Sequence, residues 1–387
     1  METLKNLLKK NIRQYGMLIA LVAIMILFQF LTGGTLLKPL NITNLILQNS
    51  YILVLAIGML LVIVAFHVDL SVGSVAAFVG AISGILMVQM KISFIPAVII
   101  SLVAGGLIGA WQGFWIAYVK IPAFIVTLAG MLVFRGLTMV ALKGTSVAPF
   151  PAAFQKIASG FIPDFFHGNG LHITTILVGI IFSLVYIYFE LRNRATQKKY
   201  NFEVLPQSFF IAKLVLIVAV INAFTFVLAT YKGIPNVLVL LFILIVIYSF
   251  VTSKTIIGRH IYALGGNEKA ARLSGVKTNR MVFWVFVNMG VLAALAGLVF
   301  AARLNAATPK AGNGFELDAI AACYIGGASA SGGVGTVIGA IIGGLVMGVM
   351  NNGMSLIGLG IDWQQAIKGI VLLFAVAFDI FTKSKNA

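Results

Sequence analysis

The residues most able to do chemistry are few and scattered. The 387-residue chain holds ten acidic residues, four histidines and one cysteine. His67, His167, His172 and His260 share no metal-binding spacing, and Cys323 stands alone in an apolar run, so neither a metal site nor a disulfide framework is expected. Glu2, Asp164, Glu190, Glu203 and Glu268 fall in connections or at the ends of apolar segments. No Gly-Lys-Ser/Thr triplet is present to cradle nucleotide phosphates, and no cofactor is expected. The run Ala330-Ser331-Gly332-Gly333-Val334-Gly335 contains a Ser-Gly-Gly core found in nucleotide-sensing signatures. Apolar sequence flanks it on both sides, which reads as a tight turn instead.

Two short runs carry a readable physical design. In Gly266-Asn267-Glu268-Lys269-Ala270-Ala271-Arg272-Leu273-Ser274-Gly275, Asn267 suits a helix N-cap. Glu268 suits the positive helix start and lies four residues before Arg272, and Gly275 is placed to end the helix. The prediction is a helix of about two turns, too short to persist alone in water. It either docks in a partner's groove or lies on the membrane surface. The second run is Val68-Asp69-Leu70-Ser71-Val72-Gly73-Ser74, between two apolar segments. Asp69 can cap the second segment's helix, or it can mark a polar hinge near the inner mouth of a pathway, with Ser71, Gly73 and Ser74 keeping that helix thin.

Polar residues at membrane depth complete the candidates: Trp111, Gln112, Trp115, Asn288, Asn351 and Asn352. Amides and aromatic faces suit hydroxyl-rich ligands, and they also serve as hydrogen bonds between helices. Small residues recur as Gly105-x3-Gly109-x3-Gly113, Gly335-x3-Gly339-x3-Gly343 and Gly344-x3-Gly348, spacings that let helix backbones approach closely, within the subunit or across an interface.

The elements that must hold these residues follow from composition. Sixty percent of the chain is apolar and 10% charged, with a mean hydropathy of +1.06. A water-soluble globule is excluded, because ordinary domains are about 25% charged. At about 20 residues per crossing, the apolar content fills about twelve helices. Segments able to span are 17–31, 44–66, 70–90, 94–118, 122–142, 173–190, 208–229, 234–252, 282–302, 317–331, 334–352 and 362–381. The tenth is short and glycine-rich, suited to a broken or tilted crossing. The fold class is therefore an all-α polytopic transmembrane protein. The first segment follows Lys5, Lys9, Lys10 and Arg13 but precedes no small-residue cleavage site, so it reads as a retained helix.

The formal charge of +17 reads as topology. Lysine and arginine concentrate in the amino-terminal arm, in 191–207 (Arg192, Arg194, Lys198, Lys199) and in 253–280 (Lys254, Arg259, Lys269, Arg272, Lys277, Arg280), which places these on the cytoplasmic side. Twelve crossings then leave both termini in the cytoplasm, beside Lys383 and Lys385. No part outside the membrane is large enough to present a nucleic-acid groove. The polar link 191–207 between two plain apolar spans marks 172–230 as an inserted helical hairpin within a single transmembrane domain.

Taken together, these runs resemble the permease subunits of bacterial ABC monosaccharide importers, in the ribose/xylose/multiple-sugar branch and nearest its D-xylose type. The resemblance rests on Asp69-Leu-Ser-Val-Gly-Ser74, on 258–275, on Gly314-Phe-Glu-Leu-Asp-Ala-Ile-Ala-Ala322, on Ile325-Gly-Gly-Ala-Ser329, on Gly332-Gly-Val-Gly-Thr-Val337 and on Asn351-Asn-Gly-Met-Ser355. It implies ten family-like spans plus the inserted pair, a separate ABC ATPase chain, an extracytoplasmic sugar-binding protein and a second copy of the permease enclosing one monosaccharide pathway in the bacterial cell membrane. It also implies that 253–280 is a coupling loop contacting the ATPase through Gly266, Asn267, Glu268, Ala270, Ala271, Arg272 and Gly275. Arg303, Lys310, Glu316 and Asp318 become candidates for touching the binding protein, although Glu316 and Asp318 also suit the start of a helix. The rival class is a proton-coupled secondary sugar transporter, for which Arg135, Asp362 and Asp379 are the few intramembrane ionisable groups. Within the family, nucleosides, branched amino acids or a signalling sugar are alternative cargoes.

Overall fold

Helix starts and stops are written in the chain. Pro39 stands at the first position of a helix, and Pro122, Pro151, Pro206 and Pro235 each immediately precede one, where a missing N–H costs nothing. Lys143 and Asn305 close two helices in the left-handed conformation. The computed structural model describes residues 12–384 apart from Asn169 and Glu203. Glu2, Lys5, Lys9, Lys10, Glu203 and Lys385 lie outside the described residues, as do the side chains of Arg13, Asp379 and Lys383.

The helices are α1 (Ile12–Leu31), α2 (Pro39–Val64), α3 (Val72–Gly84, continued by a π-helical turn Ile85–Gln89), α4 (Phe94–Ala117), α5 (Ala123–Leu142), the short α6 (Ala152–Ser159), α7 (Ile173–Lys199) and α8 (Gln207–Ala229). They continue as α9 (Asn236–Lys254), α10 (Ile256–Gly266), α11 (Glu268–Leu273), α12 (Thr278–Leu304), α13 (Phe315–Ile325), α14 (Val337–Leu356) and α15 (Ile361–Ser384). Every expected apolar segment contains a helix. Among the described residues nine helices are long and apolar enough to cross a membrane, so the chain is a polytopic, all-helical integral membrane protein.

Of the other three segments, α1 and α15 include side chains that lie outside the described residues. The tenth segment stops as a helix at Ile325, because Gly326 and the positive-φ Gly327 end it, and 326–336 continues as turns through Gly332 and Gly333. Its 11 residues rise about 16 Å, roughly half of a hydrocarbon core.

At the centre, α2 and α12 are buried among α3, α4, α13 and α14. Contact there is backbone to backbone. A Cβ at Gly105 would overlap both the carbonyl of Gly290 and the side chain of Ala294, and a Cβ at Gly290 would overlap the carbonyl of Gly105. Without side chains between them α4 and α12 touch directly, the close approach that small residues permit in lipid.

The α7–α8 hairpin is joined mainly to itself. Asn222 Nδ2 donates to Ser183 Oγ at 2.8 Å, Lys213 pairs with Glu190, and the Arg194 guanidinium lies 4.2 Å from the Phe210 ring centre. Its base is closed by the His172 N–H on the Ala229 carbonyl at 2.9 Å. From the preceding loop, Asp164 accepts the N–H groups of Ile173 and Thr174 at 3.3 and 3.0 Å, holding the start of α7.

Candidate translocation and docking sites

The first site is the end of the molecule that carries α11. Asn267 is extended, and its Oδ1 accepts the Ala270 N–H at 3.0 Å. Gly275 at φ +86° ends the helix, with its N–H on Arg272 O at 3.0 Å and the Val276 N–H on Ala271 O at 3.1 Å, the paired bonds of a Schellman closure. Ala271 and Val276 face inward, while Glu268, Lys269, Arg272 and Leu273 are exposed. The helix is six residues long, and among the described residues no ion pair joins Glu268 to Arg272. Leu273, 89% exposed, is an apolar knob that spacing alone did not single out.

This helix stands on a junction of three chain segments. Gly265 lies against the Val64 carbonyl so closely that a Cβ would overlap its oxygen. The same carbonyl accepts the Gly333 N–H at 2.9 Å, and Gly332 abuts the Gly265 carbonyl. Nearby, the Tyr262 hydroxyl donates to Gly335 O at 2.6 Å. The glycine-rich 330–335 run is therefore a tight turn, and it ties the base of α11 to the end of α2 and the start of α14.

A second site lies around Asp69, which is 2% exposed. Asp69 Oδ1 accepts the Ser71 N–H at 2.8 Å and the Ser71 hydroxyl at 2.6 Å, and Gln112 Nε2 donates to Ser71 Oγ at 2.7 Å. This revises the capping alternative. The carboxylate reaches the residue before the helix, making a local turn, and α3 begins without a side-chain cap. Among the described residues no lysine or arginine pairs with Asp69. Gly73 presses against the Gly312 backbone beside Glu316, so α3 is thin where 305–314 folds down onto it.

The third cluster gathers residues around the start of α13. Arg135 Nη1 and Nη2 donate to the carbonyls of Ala311 and Gly312 at 2.8 and 3.4 Å. Tyr51 stacks on Phe315 with ring centres 4.1 Å apart, and Phe300 meets both rings edge-on. Asp318 is 3% exposed and pairs with Lys368 of α15 at 3.0 Å, with Asn351 against the same carboxylate. The four binding-protein candidates thus separate: Lys310 is exposed, Arg303 and Glu316 are half-buried, and Asp318 is interior. The buried Asp318 is spent on Lys368 and has no face to offer a partner from outside. Lys368 was not singled out from the sequence, although a lone lysine amid apolar residues is a signal.

The remaining pathway candidates divide likewise. Trp111 is exposed on the outside of the bundle, edge-on to Phe134. Trp115 is half-buried beside Phe114. Asn288 accepts the Tyr248 hydroxyl, and Asn352 exchanges hydrogen bonds with Asn41 at 2.8 and 3.1 Å, tying α14 to α2. These two amides act as ties between helices. Among the described residues no group of three or more His, Cys, Asp and Glu side chains converges on a metal site.

A many-helix membrane body with an exposed capped helix at one end and polar groups buried in its core has the parts that a transport component needs. Residues 41–376 match the family model described as branched-chain amino acid transport system / permease component, and the chain belongs to this permease family. It is 38% identical over 376 residues to the xylose transport system permease protein XylH of Escherichia coli K12, covering 97% of this chain and 94% of that protein. The XylH of Haemophilus influenzae Rd is 40% identical over 376 residues, covering 97% and 98%. The ribose import permease protein RbsC of E. coli K12 is 33% identical over 339 residues, covering 88% and 85%. These relatives are transport permeases, and the chain is accordingly a transport component and not an enzyme. No solved structure matches it.

Proposed function

We propose that the chain is the membrane-spanning subunit of an ATP-driven importer of xylose or a related monosaccharide in the bacterial cytoplasmic membrane. The observation that carries this reading is the extent of the likeness: two xylose permeases match over 97% of the chain. In this reading twelve helices cross the membrane with both termini in the cytoplasm, 172–230 is an insertion into a single transmembrane domain, and a second copy of the chain completes the pathway. An ATPase chain receives α11 in a groove, with Leu273 as the apolar anchor and Glu268 and Arg272 at its rim. Closure of the ATPase then pulls α2 and α14 through the Val64–Gly265–Gly333 junction. Asp69, Ser71 and Gln112 line or gate the inner part of the path. Lys310 and Arg303 meet a sugar-binding protein on the other face.

The test is uptake in vesicles holding the permease, its ATPase and its binding protein. Sugar entry should require ATP and all three proteins. Entry that persists without the ATPase and stops with a proton uncoupler would establish the secondary-transporter reading, in which Asp69 and the Asp318–Lys368 pair are the available proton carriers. Glu268→Lys, or deletion of residues 267–274, should reduce uptake at least about tenfold, the loss expected when a rim charge is reversed against a partner, while leaving membrane insertion intact. Normal uptake by both variants would remove α11 from the coupling role. Competition by nucleosides or branched amino acids in place of pentoses would reassign the cargo.

A further inference from the structure

At the end of the molecule that carries α11, four helix ends fail to close against one another: the starts of α1, α10 and α14, and the last turns of α9. They leave a crevice of about 750 Å³, within the ~300–1,000 Å³ range of small-molecule sites. Its lining mixes two chemistries. Met17, Leu18, Ile338 and Ile342 supply apolar surface, and Leu18 and Ile338 remain 44% and 54% exposed.

Other lining residues offer donors. Arg259 lines the crevice and has no ion-pair partner among the described residues, which leaves a five-donor guanidinium available. Ser249 lines it too. Its hydroxyl is buried without a hydrogen-bond partner, while its carbonyl is already taken by Ser253 Oγ at 2.5 Å. The 20-residue α14 starts in the same crevice. Thr336 Oγ1 takes the Gly339 N–H at 3.0 Å, so the N–H groups of Val337 and Ile338 are the helix-start donors left without intrahelical partners, at the positive end of the helix dipole. The crevice therefore combines anion-seeking donors with apolar lining at the end of a membrane-spanning helix.

We infer that the crevice holds an anionic phospholipid of the cytoplasmic leaflet, its phosphate against Arg259 and the start of α14 and its acyl chains along Met17, Leu18, Ile338 and Ile342. Assignment to that leaflet rests on the orientation proposed above. Basic pockets between helices on the cytoplasmic side have the chemistry to recognise such headgroups. The sequence of the amino-terminal arm argues against it as occupant, because Lys5, Lys9 and Lys10 carry the same sign of charge as Arg259.

The test is native mass spectrometry of the full chain released from nanodiscs containing equal phosphatidylglycerol and phosphatidylcholine. Phosphatidylglycerol should be retained about fivefold over phosphatidylcholine, the preference conferred by one arginine near the surface. Arg259→Glu should abolish that preference, Arg259→Lys should keep most of it, and Ile338→Trp should lower retention by filling the apolar part of the crevice. Arg192→Glu on α7, remote from the crevice, should leave it unchanged. Equal retention of the two lipids overturns the proposal, as does an unchanged preference in both Arg259→Glu and Ile338→Trp. Displacement by millimolar inorganic phosphate would make free phosphate the ligand, and higher retention after deletion of residues 1–11 would make the arm the occupant; either result overturns it. Because the measurement uses no ATP, ATPase or sugar, its failure is separate from a failure of the importer reading.

Discussion

The α2 helix and the α7–α8 hairpin are equally at home in a membrane by composition, yet their surroundings are opposite. Of the most apolar stretch of α2, 83% is buried inside the protein, against 22% for α7 and 6% for α8. Hydropathy separates membrane from water and does not separate protein from lipid, because lipid tails are as apolar as leucine side chains. What distinguishes the two regions is residue size and polarity. The core brings glycines of α4 and α12 into backbone contact and buries Asp69, Gln112 and Asp318. The hairpin turns Val215, Leu216 and Val220 outward and holds itself by a few polar ties.

That contrast can be broken at its strongest point first. Lys368→Met leaves the buried Asp318 carboxylate without its partner and should destabilise the folded protein by about 3–5 kcal/mol, read as a fall in the unfolding midpoint in detergent. Lys368→Met with Asp318→Leu should recover most of that loss, since an apolar pair of similar size is often at least as stable. A single variant with unchanged stability would show that the pair is dispensable. Next, Gly105→Leu forces a side chain between α4 and α12 and should cost about 1–3 kcal/mol or more. Retention of wild-type stability there would mean that the close backbone contact is not held in the membrane.

The hairpin should respond less. Asn222→Ala removes the tie to Ser183 and should cost about 0.6 kcal/mol, the average for an interhelical hydrogen bond in a membrane; a loss as large as that of Lys368→Met would make the hairpin part of the core. The smallest effect lies outside the membrane, at Asp164. Burial raises its carboxyl, but the N–H groups of Thr174, Gly168 and Phe166 and the Thr174 hydroxyl together outweigh this and hold it well below the usual carboxylate range. The folded value is therefore below the unfolded one. Its contribution is complete above the ordinary aspartate value of about 3.9 and is lost as the pH falls from there through the folded value. Asp164→Asn should remove this pH dependence and raise amide exchange at the start of α7 at neutral pH, with uptake unchanged. Equal exchange in both proteins would show that Asp164 does not hold α7.

Much of the architecture was legible in the residues. The apolar segments other than the tenth, the Asn267 cap and the Gly275 stop depend on neighbours within a few positions, and each appears where local chemistry requires it. The polar candidates were less legible. Asn352 and Asn288 proved to be ties to Asn41 and Tyr248, and Trp111 faces outward, because a side chain's direction around a helix depends on which other helices surround it. Lys368 and Leu273 escaped notice for a related reason: one gains meaning only from Asp318, 50 residues away, and the other only from its full exposure.

By itself the sequence determined the solvent, the helical segments, the placement of charge and the shape of the α11 turn, since all of these arise from short-range periodicity, capping and transfer from water. Tertiary structure alone decided which apolar faces are buried, that Val64, Gly265 and Gly333 meet beneath α11, that Asp318 pairs with Lys368, and that a donor-lined crevice opens beside α14. Those outcomes require segments far apart in the chain to meet, and hydrophobicity, being non-directional, does not specify which partners they find.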